Sequence, residues 1–247
     1  MTKMLRGYLK KLLVSKGYLE KSFSQDSEDV ILEKIFINKN KGFYVDIGAH
    51  HPIEYSNTYK FYLRGWTGVN IDPRPGIMEY FNKIRPKDIN IEIGIGEVQN
   101  YQTLYMFDAP GVNTFNKEIA YGRNISNGFK LIGTRDVRMD TLMNVLENYV
   151  GDKKIDFLNV DVEGYEIEIL KQMNWNKYKP NVIICEALFE SGEKNPTPIN
   201  CTKGSDTWCL AENLNSFQTH NFLLNNDYGV LAKGIASVIY VNKQAKW

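Results

Sequence analysis

The sequence predicts an α/β protein with a mainly parallel sheet flanked by helices. Short apolar runs, such as residues 43–47 and 155–160, alternate with segments whose apolar side chains recur at helical spacing. This alternation is typical of parallel sheets whose crossover helices cover both faces. The chain has 247 residues and no internal repeat, which favours one domain. We expect that domain at 41–247, preceded by an N-terminal helical extension at 1–40.

Two helices are predicted in the extension. Residues 4–14 place apolar side chains at helical spacing between lysines and an arginine. This pattern favours an amphipathic helix packed on the body or on a partner chain, so an oligomer could form through it, and a membrane-surface helix is the less favoured reading. A second helix is expected after Ser24, which suits an N-cap because acidic residues follow in the first turn, and it should run to Asn38.

The next elements are predicted by apolar runs and their breakers. The runs at 43–47, 69–72 and 89–95 are expected to be buried strands, and 101–107 a more exposed one. Helices are expected at 57–63 and after the prolines at 73 and 75.

The second half has weaker signals. Residues 108–135, rich in glycine and asparagine, are predicted to be a surface loop with one short helix. Asp140 is expected to cap a helix that runs to Tyr149. Further strands are predicted at 155–160 and 182–186 with a helix between them, and closing strands at 222–224 and 238–241. The segments 108–135 and 190–209 are expected to be loops that select the substrate.

Composition excludes several classes of function. Lys and Arg number 30 against 29 Asp and Glu, so no basic surface for nucleic acid is expected. No run approaches the ~18 apolar residues of a membrane span, so no transmembrane segment is predicted. Three cysteines are too few and too scattered for a disulfide framework, and no secretory leader is visible, which together favour a cytoplasmic protein.

Four acidic residues lie at the ends of predicted strands: Asp46, Asp72, Asp161 and Glu186. Ligands of open parallel sheets bind at these carboxyl ends. Gly48 lets the backbone approach a ligand closely. Asp72, 24 residues further on, is placed to accept hydrogen bonds from ribose hydroxyls. The pattern predicts a site for an adenosine cofactor.

The turn after residue 47 favours a cofactor without phosphates. It contains Gly48 alone and neither the G-x-G-x-x-G loop of dinucleotide sites nor a Walker A lysine. S-adenosylmethionine therefore fits better than NAD. An NAD-dependent nucleotide-sugar oxidoreductase or epimerase, and a non-catalytic adenosine- or sugar-binding module, remain the alternatives.

Eight short motifs occur in order along residues 22–190. They are Ser24-Gln25 with Glu28-Asp29, Val45-Asp46-Ile47-Gly48-Ala49, Ser56-Asn57-Thr58, Gly65-Trp66, Ile71-Asp72-Pro73, Asn113-Thr114-Phe115, Met139-Asp140-Thr141-Leu142 and Asp161-Val162-Glu163-Gly164. This ordered string resembles the FkbM-type methyltransferases. The resemblance implies a class I, Rossmann-like methyltransferase fold and methylation of a sugar or natural-product hydroxyl by S-adenosylmethionine. Many members have Asn after Gly-Ala, whereas His50 and His51 stand here.

The resemblance and the strand-end pattern together predict the site residues. The expected cofactor contacts are Gln25, Asp46, Gly48, Ala49 and Asp72. The expected substrate contacts are His50, Asn57, Thr58 and Glu186. Because a sugar hydroxyl needs a base to remove its proton, His51, Asp161 and Glu163 are the expected catalytic residues. Tyr55, Tyr105, Tyr121 and Trp208 are candidate platforms for a sugar ring.

A divalent metal is the less favoured possibility. Asp161 and Glu186 resemble the carboxylates of magnesium-dependent O-methyltransferases, but Ala187 and Leu188, which cannot supply a third ligand, follow Glu186. The sequence thus predicts an S-adenosylmethionine-dependent O-methyltransferase. Its expected substrate is a sugar, such as a nucleotide-activated sugar for a surface polysaccharide.

Overall fold

A seven-stranded sheet forms the centre of the protein in a computed structural model that describes residues 20–126, 128–162, 164–186, 218–234 and 236–245. The predicted helix at 4–14 and the predicted loop at 190–209 lie outside these residues. In chain order the strands of both sheets are β1 (Phe43–Ile47), β2 (Thr67–Ile71), β3 (Ile89–Ile91), β4 (Gly94–Ile95), β5 (Asn100–Phe107), β6 (Leu131–Asp140), β7 (Phe157–Val160), β8 (Val182–Glu186), β9 (Tyr228–Lys233) and β10 (Ser237–Asn242).

The large sheet has the order β3-β2-β1-β7-β8-β10-β9. The first five of these strands are parallel, and β10 runs antiparallel to both β8 and β9. The α/β class with a mainly parallel sheet is therefore confirmed, and the architecture is consistent with a Rossmann-like methyltransferase fold.

Helices flank the sheet. In chain order they are α1 (Glu28–Ile35), α2 (Tyr59–Leu63), α3 (Ile77–Ile84), α4 (Lys117–Ser126), α5 (Leu142–Val145), α6 (Glu166–Lys171) and α7 (Gln218–Asn225), with a 3₁₀ turn at Pro110–Val112 and a π-helical turn at Leu146–Val150 that continues α5. Within the described ranges, no helix has the length and apolar character needed to span a membrane.

Both faces of the sheet are buried because side chains alternate along each strand. On β1, Tyr44 faces Leu32 and Phe36 of the α1 segment, whereas Val45 joins the core on the opposite face with α5 and α6. Residues 28–36, part of the predicted N-terminal extension, thus pack directly on the sheet. The same alternation places Asp46 on the Tyr44 face, two residues further along the strand.

A second sheet corrects the prediction for 108–135. Residues 131–140 form β6, which pairs antiparallel with β5 and parallel with β4 in a three-stranded sheet. The first six residues of β6 are all at least partly exposed, so hydrophobic alternation was absent there. Because 89–95 contributes to both sheets, as β3 and β4, the single strand predicted there is two.

Three local predictions were also wrong. The first described helix begins at Glu28 and not directly after Ser24, although the Ser24 hydroxyl does accept a hydrogen bond from Asp29 N over 3.2 Å. Thr141, not Asp140, caps α5, because its side chain accepts from Asn144 N. Residues 222–224 lie in the helix α7, and the strand predicted there is β9.

Candidate functional site

A cavity of about 910 Å³ opens at the carboxyl edge of the large sheet. Gly48, Asp72, Asp161 and Glu186 line it from the ends of β1, β2, β7 and β8. The chain turns to one side after β1 and to the other after β7, so the cavity lies where the strand order reverses. This is the usual ligand crevice of an open α/β sheet.

The small sheet and its connection form the opposite wall. Leu104, Thr114, Phe115 and Met139 contribute to this wall, which is largely apolar. Gln25 and Ser237 of β10 also line the cavity. The wall therefore provides apolar surface, while the strand ends provide polar groups that can orient a ligand.

Asp72 holds the loop that follows β1. One carboxylate oxygen, Oδ2, accepts a hydrogen bond from His50 N over 2.9 Å. The other, Oδ1, accepts from Arg74 N and from Arg74 Nε, each over 2.9 Å. The Arg74 guanidinium also donates to His50 O. Asp72 and Arg74 together therefore fix the backbone of His50 on both sides.

His50 lines the cavity, and its ring lies near Gly111 and Tyr55, which line it too. Its backbone is left-handed, with φ 52°, which is uncommon for a residue other than glycine. Burial, and then the positive charge of Arg74, lower the pKa of His50 below its ordinary value near 6.5. No described residue forms a hydrogen bond with its ring nitrogens. A neutral imidazole with a free lone pair can act as a base.

His51 points elsewhere. It is not among the residues that line the cavity. Its Nδ1 accepts hydrogen bonds from Ile53 N and Glu54 N, over 3.2 and 2.8 Å, and its ring packs edge-on against Tyr80 at 5.3 Å between centroids. The structure brings His50 to the cavity and leaves His51 beside it.

Gly48 is required by its immediate surroundings. Its φ is +79°, and a side-chain Cβ would collide with the carbonyl oxygen of Asp161 at the end of β7. The close approach is thus between two strand ends, which brings them together under the cavity. Ala49 is buried against Met78 and Phe81 of α3, and so packs the turn as well as lining the cavity.

Asp46 lines the cavity, and each of its two carboxylate oxygens accepts a hydrogen bond. Its Oδ2 accepts from the Thr58 hydroxyl over 2.7 Å, and its Oδ1 from Asn159 Nδ2 over 2.9 Å. Asp46 and Asn159 are register partners on β1 and β7, which explains their contact. Burial raises the pKa of Asp46, and these two hydrogen bonds partly offset that rise.

Thr58 and Asn57 face different ways. Thr58 is completely buried and does not line the cavity, whereas Asn57 is half-buried and does. Asn57 Nδ2 donates to Asn159 Oδ1 over 2.9 Å. Asn159 is a site residue that sequence reasoning missed, and its only signal was a polar residue inside an otherwise apolar strand.

A buried ion pair supports this arrangement from behind. Arg85 Nε lies 2.9 Å from Asp88 Oδ2, and both side chains are completely buried. Arg85 also donates to the Tyr44 hydroxyl and to Thr58 Oγ1 over 2.8 and 2.9 Å. Sequence reasoning missed this pair, since an arginine and an aspartate three residues apart usually lie in solvent.

Asp161 is exposed at the end of β7 and lines the cavity. The loop after it is held by Glu166, whose Oε1 accepts from Val162 N and Gly164 N over 3.0 and 3.3 Å. Glu163 lies outside the described residues. Within those residues, no group of three or more His, Cys, Asp or Glu side chains is arranged to hold a metal ion.

Tyr55 is the predicted sugar platform that reaches the cavity. Tyr55 is 64% exposed, and its ring centroid lies 6.2 Å from that of His50. Tyr105 and Tyr121 pack near each other away from the lining, at 6.4 Å between centroids. Trp208 lies outside the described part of the chain.

A comparison with models of protein families gives a match over most of the chain. The family model described as the methyltransferase FkbM domain matches residues 46–227. A comparison with curated proteins finds no match. The matched segment begins within β1 and includes the strands β2, β7 and β8, whose ends line the cavity.

Proposed function

The chain belongs to the FkbM methyltransferase family, and from this premise we propose that it transfers a methyl group from S-adenosylmethionine to a hydroxyl oxygen of a sugar. The observation that carries the proposal is the single cavity-lining set that joins Asp72, His50 and Asp161 at the reversal of strand order. Asp72 can accept hydrogen bonds from a ribose, His50 can act as a base, and Asp161 supplies a second carboxylate in the same cavity.

The residues of the cavity fit this cofactor. Asp72 Oδ2 retains acceptor capacity for a ribose hydroxyl, because its second partner, Arg74 Nη2, lies at the longer distance of 3.3 Å. The segment between Ile47 and Tyr59 contains no helix, so no helix N-terminus at the end of β1 is available for a pyrophosphate. This favours a phosphate-free adenosine cofactor over NAD.

The cavity also suits a second ligand. Its volume of about 910 Å³ is near the upper end of the ~300–1,000 Å³ that binding pockets usually enclose. Exposed Tyr55 at its margin offers an aromatic face to a sugar ring. A nucleotide-activated sugar for a surface polysaccharide, methylated in the cytoplasm, is the acceptor we propose.

The bound cofactor supplies an electrophilic methyl carbon on a positively charged sulfur. His50 accepts the proton of the acceptor hydroxyl, since its pKa is lowered and its ring is free of described partners. Asp161 accepts a hydrogen bond from a neighbouring hydroxyl of the same sugar and thereby orients the reacting hydroxyl. The apolar wall of the small sheet keeps water away from the reacting atoms. Alignment of the hydroxyl oxygen with the methyl group contributes much of the rate.

Calorimetric titration tests the cofactor. We expect S-adenosylhomocysteine, the demethylated product, to bind with micromolar affinity and NAD not to bind. Binding of NAD alone would favour the oxidoreductase alternative, and binding of neither would contradict the proposal. A mass-spectrometric screen of nucleotide sugars for a gain of one methyl group then tests the acceptor, with heat-denatured protein as the control.

A further inference from the structure

A chain of hydrogen bonds leads from buried Arg85 to Asn57 in the cavity wall. Arg85 Nη2 donates to Thr58 Oγ1 over 2.9 Å, because a guanidinium group has donors only. The Thr58 hydroxyl has one hydrogen, and it donates this hydrogen to Asp46 Oδ2 over 2.7 Å. The direction of the first two links is set by chemistry alone.

The direction of the remaining links follows from Asp46. A carboxylate only accepts hydrogen bonds, so Asn159 must turn its Nδ2 towards Asp46 Oδ1. Asn159 Oδ1 therefore points away from Asp46 and accepts from Asn57 Nδ2, over 2.9 Å. These bonds therefore determine which way the side-chain amides of Asn57 and Asn159 are turned.

Asn57 Oδ1 is the free end of this chain. Asn57 is half-buried and lines the cavity, and no described residue donates a hydrogen bond to its Oδ1. The group that binds there must be a hydrogen-bond donor, because another acceptor would face the oxygen lone pairs. A carboxylate therefore does not bind to this oxygen.

The charges around the cavity differ between its two sides. Arg74 lies on the β2 side, next to Asp72. On the opposite side, the lining includes Glu28 of α1, whose carboxylate accepts a hydrogen bond from the Ser237 hydroxyl and has no cation among its described partners. This side favours a positively charged donor.

We infer that Asn57 presents its carbonyl oxygen to the α-ammonium group of the methyl donor's amino-acid tail, with buried Arg85 setting that polarity through Thr58, Asp46 and Asn159. The inference rests on the proposed use of S-adenosylmethionine. It makes Asn57 a cofactor-binding residue and Asn159 and Arg85 positioning residues.

The polarity can be reversed by an isosteric substitution. In Asp46→Asn the new amide nitrogen faces Asn159, which must turn its oxygen towards it. Asn57 then turns in response and presents N–H groups to the cavity. Adding Asn159→Asp restores the original direction, because the carboxylate introduced at position 159 accepts hydrogen bonds from both of its neighbours.

The test compares the affinities of two probes by calorimetry at pH 8. S-adenosylhomocysteine carries the ammonium group, and 5′-methylthioadenosine lacks the amino-acid tail. We expect Asp46→Asn to weaken the binding of S-adenosylhomocysteine about tenfold or more. The affinity for 5′-methylthioadenosine should change by less than about threefold. The double variant should recover most of the loss. Equal losses for both probes, or no recovery, would overturn the inference.

Asn57→Ala provides a second test. Asn57 is half-buried, and its removal leaves the buried hydrogen bonds between Arg85, Thr58, Asp46 and Asn159 in place. The variant should bind S-adenosylhomocysteine about tenfold more weakly and 5′-methylthioadenosine with unchanged affinity. Thermal melting verifies that it is folded. An unchanged ratio of the two affinities overturns the inference alone. Failure of the wild-type protein to bind either probe overturns the proposed function instead.

Discussion

The carboxylate of Asp72 accepts a hydrogen bond from the backbone nitrogen of His50 over 2.9 Å. The residue expected to bind ribose therefore also holds the loop that carries the proposed base. Arg74 reinforces this contact, because it bonds to Asp72 and to His50 O. Cofactor binding and placement of the base are thus coupled through one carboxylate.

Asp72→Ala should weaken binding of S-adenosylhomocysteine at least about tenfold, because it removes the side chain that accepts hydrogen bonds from the ribose hydroxyls. Arg74→Ala is the matched control, since it disturbs the same loop but leaves the carboxylate in place. Calorimetry should give an affinity within about threefold of wild type for Arg74→Ala. Equal losses in the two variants would show that Asp72 acts through the loop and not through ribose.

The rate should depend on pH through His50. Its pKa lies below the ordinary value near 6.5, and only the neutral ring accepts a proton. kcat/KM should therefore be constant above that pKa and fall as pH drops through it. His50→Gln should lower the rate about 10²-fold or more and remove this acidic limb, whereas His51→Gln should retain it. A limb that persists in His50→Gln would assign the base to another group.

Asp161→Ala should lower kcat about 10²-fold or more, because the sugar loses the carboxylate that orients its reacting hydroxyl. Binding of S-adenosylhomocysteine should change by less than about threefold. Asp161→Asn tests the same position with nearly equal volume and should also lose rate. Full activity in Asp161→Ala would remove this residue from the mechanism.

Gly48→Ala should destabilise the protein more than Gly65→Ala. Both glycines have positive φ, +79° and +88°, but a Cβ at residue 65 would meet no atom within 4 Å. Gly65→Ala should therefore cost only the backbone strain, about 1–2 kcal/mol of unfolding free energy. At Gly48 the collision with Asp161 O adds to that cost. Urea denaturation checks the order, and equal costs would contradict it.

Arg85→Met should lower the unfolding free energy by about 3 kcal/mol or more, because Asp88 stays buried without its cation. Arg138→Met is the control. Its side chain is 62% exposed and lies 3.5 Å from Asp140, so its loss should cost less than about 1 kcal/mol. Similar values for the two variants in denaturant titrations would contradict the role of the buried pair.

Local sequence determined much of the sheet. The apolar runs at 43–47 and 182–186 are β1 and β8 with the predicted bounds, because strands buried on both faces need continuous apolar character. The acidic residues near their carboxyl ends, Asp46 and Glu186, could also be placed at one edge, since the carboxyl ends of parallel strands meet there. β6 could not be predicted, because the side chains of its first half are at least partly exposed and show no apolar alternation. It is a strand because its backbone pairs with β5.

Tertiary structure decided which polar residues face the cavity. His50 and His51 are adjacent and chemically identical, and the backbone clamp from Asp72 and Arg74 turns one ring to the cavity while the other caps its own loop. Asn57 and Thr58 are separated in the same way, by bonds to Asn159 and Arg85 from distant parts of the chain. Periodicity shows which segments are buried, but the direction of a buried hydrogen bond depends on partners that only the fold brings together.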